Sequence, residues 1–202
     1  MFDGVARKSL DPVLTQGGIW AAQRGWTANQ MTLAGLALGG LAAAVIAADG
    51  PTGWALGVLL ASRIADGLDG AIARIKGKTD FGGFLDIVSD FAFYGLIPFA
   101  FALRDADTAV AAGFLLLSFY INGASFLAFA IMGEKRGMQT SVRGDKSLYF
   151  SVGLMEGAET IAALSAMCLW PSLFAPIAWV FGTLCLATAL ARVALAAQVF
   201  GR

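Results

Sequence analysis

Long apolar runs separated by short polar stretches set the first limit on how this 202-residue chain can fold. A helix of about 20 apolar residues crosses the hydrocarbon core of a bilayer and satisfies its own backbone hydrogen bonds there. Six runs of at least that length lie at 28–48, 53–75, 81–103, 108–132, 148–170 and 173–200. The sequence therefore predicts an all-α integral membrane protein, with six transmembrane helices bundled over 28–200 inside a single domain spanning 1–202.

The composition agrees with this class and excludes others. Apolar and aromatic residues make up 58% of the chain and charged residues 14%, split into 14 basic and 14 acidic side chains. A soluble domain is about 45–50% apolar and about 25% charged, so a soluble enzyme, a disordered chain and a net-basic nucleic-acid binder are all excluded. The chain has no histidine, and its two cysteines, Cys168 and Cys185, are predicted to be buried apolar side chains, not zinc ligands.

Residues 1–25 differ from the rest of the chain. Apolar side chains alternate there with charges such as Arg7, Lys8 and Arg24, and Pro12 and Gly17–Gly18 are expected to interrupt the segment. This pattern predicts a juxtamembrane amphipathic segment that lies along the membrane surface. The charges leave no continuous apolar core, so we expect no cleavable signal peptide.

Lysines and arginines outside the apolar runs indicate the orientation in the membrane. Ten of them fall on one side of the predicted bundle, whereas the other side has only Arg104. Cytoplasmic loops carry an excess of basic residues. We therefore expect a multi-pass protein of the cytoplasmic (inner) membrane, with both termini in the cytoplasm.

Four aspartates lie inside the second and third apolar runs, near the end predicted to be cytoplasmic. Asp66 and Asp69 are spaced i, i+3 and Asp86 and Asp90 are spaced i, i+4, so each pair shares a helix face. A short polar loop joins the two runs, and we expect them to be antiparallel neighbours whose carboxylates converge. Carboxylate oxygens without histidine or thiolate suit Mg²⁺ or Mn²⁺. The spacing predicts a site for two such ions.

Glycines surround these aspartates in the sequence. Gly67, Gly70, Gly82 and Gly83 are expected to leave the space above the ions free for a phosphate or nucleotide. Elsewhere, small residues such as Gly35 and Gly39 are expected to let helices approach each other closely.

Two other interpretations of the aspartates remain open at this point. They could form inert ion pairs with Arg63, Arg74 and neighbouring lysines, although four acids against the two arginines on those runs leave surplus negative charge. They could also line a cation or proton pathway, because acidic residues inside a membrane mark transporters as well as enzymes.

Two strings in the sequence resemble motifs of the CDP-alcohol phosphotransferase (CDP-alcohol phosphatidyltransferase) family. The main one reads Asp66-x-x-Asp69-Gly70-x-x-Ala73-Arg74, followed by Gly82-x-x-x-Asp86-x-x-x-Asp90. The loop before Gly82 is one residue shorter than the family's usual pattern. The other string, Ala28-Asn29-x-x-Thr32 at the start of the first run, is similar to the family's Pro-Asn-x-x-Thr, with Ala in place of Pro.

The resemblance implies transfer of a substituted phosphate from a CDP-alcohol, with CDP-diacylglycerol the expected donor, to a hydroxyl acceptor with release of CMP. It implies that two Mg²⁺ or Mn²⁺ ions are held by the four aspartates and that Asp90 is the catalytic base. It also implies a homodimer. By position, the nucleotide would contact Asn29, Thr32, Asp66, Gly70, Ala73, Arg74 and Gly82.

The acceptor is the part of the reaction that the sequence leaves open. Arg143, in the loop after the fourth run, could bind the phosphate of a phosphorylated acceptor, or it could be an ordinary loop charge. Glu156 and Glu159 are spaced i, i+3 inside the fifth run. They could bind a polyol or a cationic acceptor, or pair with an arginine to lock the bundle.

Overall fold

The computed structural model describes residues 3–138, 155 and 157–201, with side chains from residue 11 onward. Every regular element in this part of the chain is helical, which confirms the all-α class. The long helices are α1 (Asp3–Gln23), α2 (Ala28–Ala47), α3 (Thr52–Lys76), α4 (Asp80–Arg104), α5 (Ala109–Lys135), α6 (Gly157–Leu169) and α7 (Phe174–Phe200). Short 3₁₀ turns at Ala106–Thr108 and Pro171–Leu173 precede α5 and α7.

Four of these segments are long and apolar enough to cross a membrane: α2, α4, α5 with its 3₁₀ turn, and α7 with its 3₁₀ turn. The second predicted run forms α3, which has 25 residues but carries charged side chains from its midpoint onward. The fifth run contributes α6, whose described part has 13 residues. The all-helical membrane fold therefore stands on four spans, and the count of six stays a prediction.

Side-chain caps fix where α2 and α4 begin. Thr27 accepts a hydrogen bond from the Gln30 backbone N–H at 3.2 Å, and the Thr27 N–H donates to Gln30 Oε1 at 3.0 Å. Thr79 accepts from the Gly82 N–H at 3.0 Å. Such caps satisfy backbone N–H groups that have no partner inside the helix. At the same end of the bundle, Lys76 Nζ donates to the Trp26 carbonyl at 2.7 Å and joins the end of α3 to the α1–α2 connection.

The expected interruption of α1 is not found, because the helix continues through Pro12 and both glycines. Gly17 and Gly18 instead let α1 lie close against α3. A Cβ added at Gly18 would be 2.5 Å from the Cβ of Ala71, and one at Gly17 would be 2.8 Å from Leu68 Cδ2. The glycines therefore serve helix packing, and the location of α1 at the membrane surface stays a prediction.

α3 and α4 are neighbours, as expected, and both pack closely on α2. Ser62 of α3 donates a hydrogen bond to the Gly35 carbonyl of α2 at 2.7 Å. On α4, the buried ring of Phe93 lies against Gly39. The small residues of α2 thus bring α3 and α4 together, and those two helices meet through their longer side chains.

The other end of the bundle is closed by Arg104 and an aromatic pair. Arg104 forms an ion pair with Asp49 at 2.7 Å and donates to the Gly50 carbonyl at 2.8 Å. Asp49 has a φ of 58°, a left-handed conformation that aspartate adopts more readily than most residues. Phe101 and Phe174 stack with their ring centroids 4.4 Å apart. Both cysteines are buried and free, as predicted.

Adjacent glycines on α2 provide a matched test of this packing. A Cβ at Gly39 would lie 2.7 Å from the buried Phe93 ring, whereas a Cβ at Gly40 would have no atom within 4 Å. We expect Gly39→Ala to lower the free energy of unfolding by about 1–3 kcal/mol through overpacking. Gly40→Ala should leave it unchanged or raise it by up to about 1 kcal/mol. Thermal unfolding in detergent measures both, and equal shifts would contradict the close approach at Gly39.

Candidate functional site

Three carboxylates from two helices meet at one point of the bundle. Asp66 and Asp69 lie on α3 and Asp86 on α4, and one oxygen from each lies within 4.8 Å of the others. Asp69 is buried and the other two are half-buried. Three hard oxygen donors at this separation fit a divalent ion such as Mg²⁺ or Mn²⁺. The predicted convergence of the aspartates is therefore present for these three residues.

Thr32 of α2 holds the most buried of the three carboxylates. Its hydroxyl donates to Asp69 Oδ2 at 2.6 Å, in a contact that is itself buried. Thr32 lies in the second turn of α2, so the cap at Thr27 fixes its height relative to α3. The sequence places Thr32 among the nucleotide contacts, whereas the structure gives it a direct role in orienting a carboxylate.

Asn29 lies one turn before Thr32 and faces the first turn of α4. Its Oδ1 would be 3.2 Å from a Cβ added at Gly82, and the capping hydroxyl of Thr79 would be 2.9 Å from the same point. Gly82 therefore has no room for a side chain. Of the three residues that the sequence predicts to share a nucleotide pocket, Thr32 contacts the cluster and Asn29 lies beside Gly82.

The fourth aspartate, Asp90, is not among the three whose oxygens lie within 4.8 Å of one another, but it shares a cation with Asp66. Its Oδ1 accepts a hydrogen bond from Arg63 Nη1 at 2.9 Å, and the same nitrogen is 3.5 Å from Asp66 Oδ1. From the sequence, Arg63 is expected only as an ion-pair partner of acidic residues, with no role in the site. The available signal was its position three residues before Asp66, on the same helix face.

The glycines near the cluster divide into open and packed positions. A Cβ at Gly70 would have only Arg74 Nη1 nearby, at 3.8 Å, and one at Gly83 would have nothing within 4 Å. Gly67 is different, because a Cβ there would lie 2.8 Å from Leu14 of α1. The expectation that Gly67 keeps space free above the ions is therefore wrong: it packs α3 against α1.

The remaining predicted residues lie farther along α3 and α6. Ala73 is half-buried one turn after Asp69, and the exposed Arg74 has Nη2 3.5 Å from Asp11 Oδ1 of α1. Glu159 is half-buried in the first turn of α6. Arg143 and Glu156 lie outside the described residues.

Comparisons with known proteins find similar sequences and a similar fold. The sequence model of the CDP-alcohol phosphatidyltransferase family matches residues 26–199. The Escherichia coli (strain K12) inner membrane protein YnjF is 43% identical over 197 residues, which cover 96% of this chain and 94% of that protein. The fold is similar to that of Mycobacterium tuberculosis phosphatidylinositol phosphate synthase, solved with CDP-DAG bound. The TM-score is 0.72 at 19% identity, covering 90% of this chain and 92% of the synthase.

Thr32→Val tests the hydroxyl that orients Asp69. Valine keeps the branched shape but removes the hydrogen bond at 2.6 Å. Loss of such a partner of a metal ligand weakens metal affinity by about 10–100-fold. We therefore expect a higher Mn²⁺ concentration for half-maximal thermal stabilisation of the purified protein.

Thr183→Val is the matched control. Among the residues that the structure describes, the Thr183 hydroxyl donates only to the backbone carbonyl one turn earlier, that of Trp179, at 2.8 Å. Its removal should leave the Mn²⁺ dependence unchanged. An unchanged Mn²⁺ dependence in Thr32→Val would contradict the role assigned to the Thr32 hydroxyl.

Proposed function

The chain belongs to the CDP-alcohol phosphatidyltransferase family of phospholipid-synthesis transferases, and on that premise we propose its reaction. It transfers the phosphatidyl group of CDP-diacylglycerol to the hydroxyl of a small acceptor and releases CMP. The observation that carries this proposal is the convergence of the Asp66, Asp69 and Asp86 carboxylates within 4.8 Å. The CDP-DAG bound in the structurally similar synthase supports the choice of donor.

We assign two Mg²⁺ or Mn²⁺ ions to Asp66, Asp69, Asp86 and Asp90. When bound, such ions polarise the phosphoryl group and stabilise the charge of the leaving CMP. The chain supplies only oxygen ligands for them. Because Thr32 donates to one oxygen of Asp69, the carboxylate has a defined orientation before any ion arrives.

Asp90 is the proposed general base. Its side chain is 33% exposed, so a hydroxyl can reach it, and the Arg63 hydrogen bond at 2.9 Å fixes one of its oxygens. As the acceptor oxygen bonds to the β-phosphorus, its proton passes to the Asp90 carboxylate. The bond from that phosphorus to the bridging oxygen breaks, and the electron pair leaves with CMP. General-base assistance of this kind contributes about 10²–10⁴-fold to rate.

Polar and open positions around the carboxylates would receive the nucleotide. Gly70 leaves the α3 backbone accessible, and Asn29 presents an amide beside Gly82. Arg74 is exposed and only loosely paired with Asp11 at 3.5 Å, so its guanidinium is available to phosphate oxygens. Ala73, three residues after Gly70, is a second small residue on the same face of α3. For the acceptor we keep Arg143, Glu156 and Glu159 as the proposed contacts.

We further propose that the protein is a homodimer of the inner membrane, with both termini and the active site in the cytoplasm. The ten-to-one distribution of basic residues outside the apolar runs supports this orientation. The relative in Escherichia coli is itself an inner membrane protein. The one basic residue on the opposite side, Arg104, is held by Asp49 in the turn between α2 and α3.

The decisive experiment supplies the reconstituted protein with radiolabelled CDP-diacylglycerol, Mg²⁺ or Mn²⁺, and one acceptor at a time. Glycerol phosphate, inositol phosphate, serine and choline form the first panel. We expect metal-dependent release of CMP with one of these compounds and the label in a new lipid. Cation flux in liposomes without any cytidine nucleotide, together with no CMP release, would instead favour a transporter.

Asp90→Asn tests the base assignment. The amide keeps the size of the side chain but cannot take the acceptor proton, so we expect CMP release to fall by about 10²–10⁴-fold. Metal-induced thermal stabilisation should persist, because Asp66, Asp69 and Asp86 remain. Asp107→Asn, which alters an exposed aspartate before α5, should release CMP as the wild type does. Undiminished turnover in Asp90→Asn would overturn the assignment.

A further inference from the structure

Arg63 is a buried cation in direct contact with the carboxylate cluster. Its side chain is only 8% exposed, and its Nη1 reaches Asp90 at 2.9 Å and Asp66 at 3.5 Å. In the part of the chain that the structure describes, it supplies every ion pair to the four aspartates. Arg74, the other arginine of α3, is directed towards Asp11 of α1.

Residues of α3 and α4 contact the guanidinium of Arg63 directly, and α2 supports it through Ser62. Its Nη2 donates to Ser62 Oγ at 3.1 Å, and Ser62 in turn donates to the Gly35 carbonyl of α2. Its Cζ lies 3.6 Å from the centroid of the Phe93 ring of α4. A guanidinium that stacks on an aromatic ring and also donates hydrogen bonds from its edge has little freedom to move. Its position is therefore built into the packing of α2, α3 and α4.

The balance of charge indicates that Arg63 does more than form a structural ion pair between helices. The one guanidinium pairs with two of the four carboxyl groups, so Arg63 cannot by itself balance the charge of four ionised carboxylates. Its Nε is buried and has no hydrogen-bond partner among the described residues. Burying an arginine at such a place is costly unless nearby negative charge compensates it. The aspartates supply that charge, and Arg63 relieves part of their mutual repulsion.

We propose that Arg63 is a built-in counter-cation of the active site, which keeps the metal-free cluster assembled and sets how strongly it binds divalent cations. It is a positioning residue that acts through Asp66 and Asp90, and it touches neither substrate. This inference rests on the metal site of the proposed function. It adds that the protein itself carries one of the positive charges that the cluster requires.

The test compares Mn²⁺-dependent thermal stabilisation of purified wild type and Arg63→Met, a variant of similar length without charge. Removing a unit positive charge a few ångströms from the carboxylates should lower the half-saturating Mn²⁺ concentration by about tenfold. The metal-free melting temperature should fall, and saturating Mn²⁺ should restore most of that loss. Arg63→Lys keeps the charge and should retain a half-saturating concentration near that of the wild type.

Arg104→Met is the matched control. Arg104 is also an arginine in an ion pair, with Asp49 at 2.7 Å, but it lies at the opposite end of the bundle. Its replacement removes the same charge, and the half-saturating Mn²⁺ concentration should not change, whatever happens to the melting temperature.

The outcomes separate this inference from the function on which it rests. Wild type that Mn²⁺ does not stabilise at all would contradict the metal site itself. Stabilised wild type with the same half-saturating concentration in Arg63→Met would overturn only the counter-cation. Failure of Arg63→Met to fold even at saturating Mn²⁺ would also overturn it, because Arg63 would then be needed by the bundle and not by the cluster. Recovery of the folded variant only with Mn²⁺ would support it.

Discussion

Negative charge inside an apolar bundle is the constraint on which the rest of this structure depends. A charged side chain at the centre of a spanning helix costs about 2.5–3.5 kcal/mol on insertion scales. This chain places three carboxylates within 4.8 Å of one another and a fourth beside them. Three neighbouring features lower that cost. The Thr32 hydroxyl donates a hydrogen bond to Asp69, and the Arg63 guanidinium lies between Asp66 and Asp90. The cluster also lies near the capped ends of the helices. The residual charge makes the cluster suitable for divalent ions.

α2 is apolar and uncharged, yet it organises the site. Its capping box fixes the height of Thr32, its glycines admit Ser62 and Phe93, and through them it positions the aspartates of α3 and α4. A side chain larger than hydrogen at Gly35 or Gly39 would separate α2 from these helices. The geometry of the cluster therefore depends on residues that never touch it.

Periodicity and spacing predicted much of this fold and site. Apolar runs located the helices because lipid leaves the backbone few other conformations. The i, i+3 and i, i+4 spacings placed pairs of aspartates on common faces, since that relation is fixed within one helix. Relations between helices were less accessible. A glycine in the sequence indicates close approach but does not identify the partner, so the sequence alone does not distinguish Gly67, which faces Leu14, from the glycines beside the carboxylates. The role of Arg63 is hidden from the sequence for the same reason, because its partner Asp90 lies on another helix.

The contact between α1 and α3 consists of pairs in which one residue makes room for the other. Leu14 fits over Gly67, Leu68 over Gly17, and Ala71 over Gly18. The glycine lies on α3 in the first pair and on α1 in the other two, so each helix both makes room and fills it. Substitutions at these positions are consequently expected to be reciprocal: a protein of this fold that enlarges one member must reduce the other. Coordinated changes of side-chain size across these pairs in related sequences would indicate that α1 packs there against α3, the helix that carries Asp66 and Asp69.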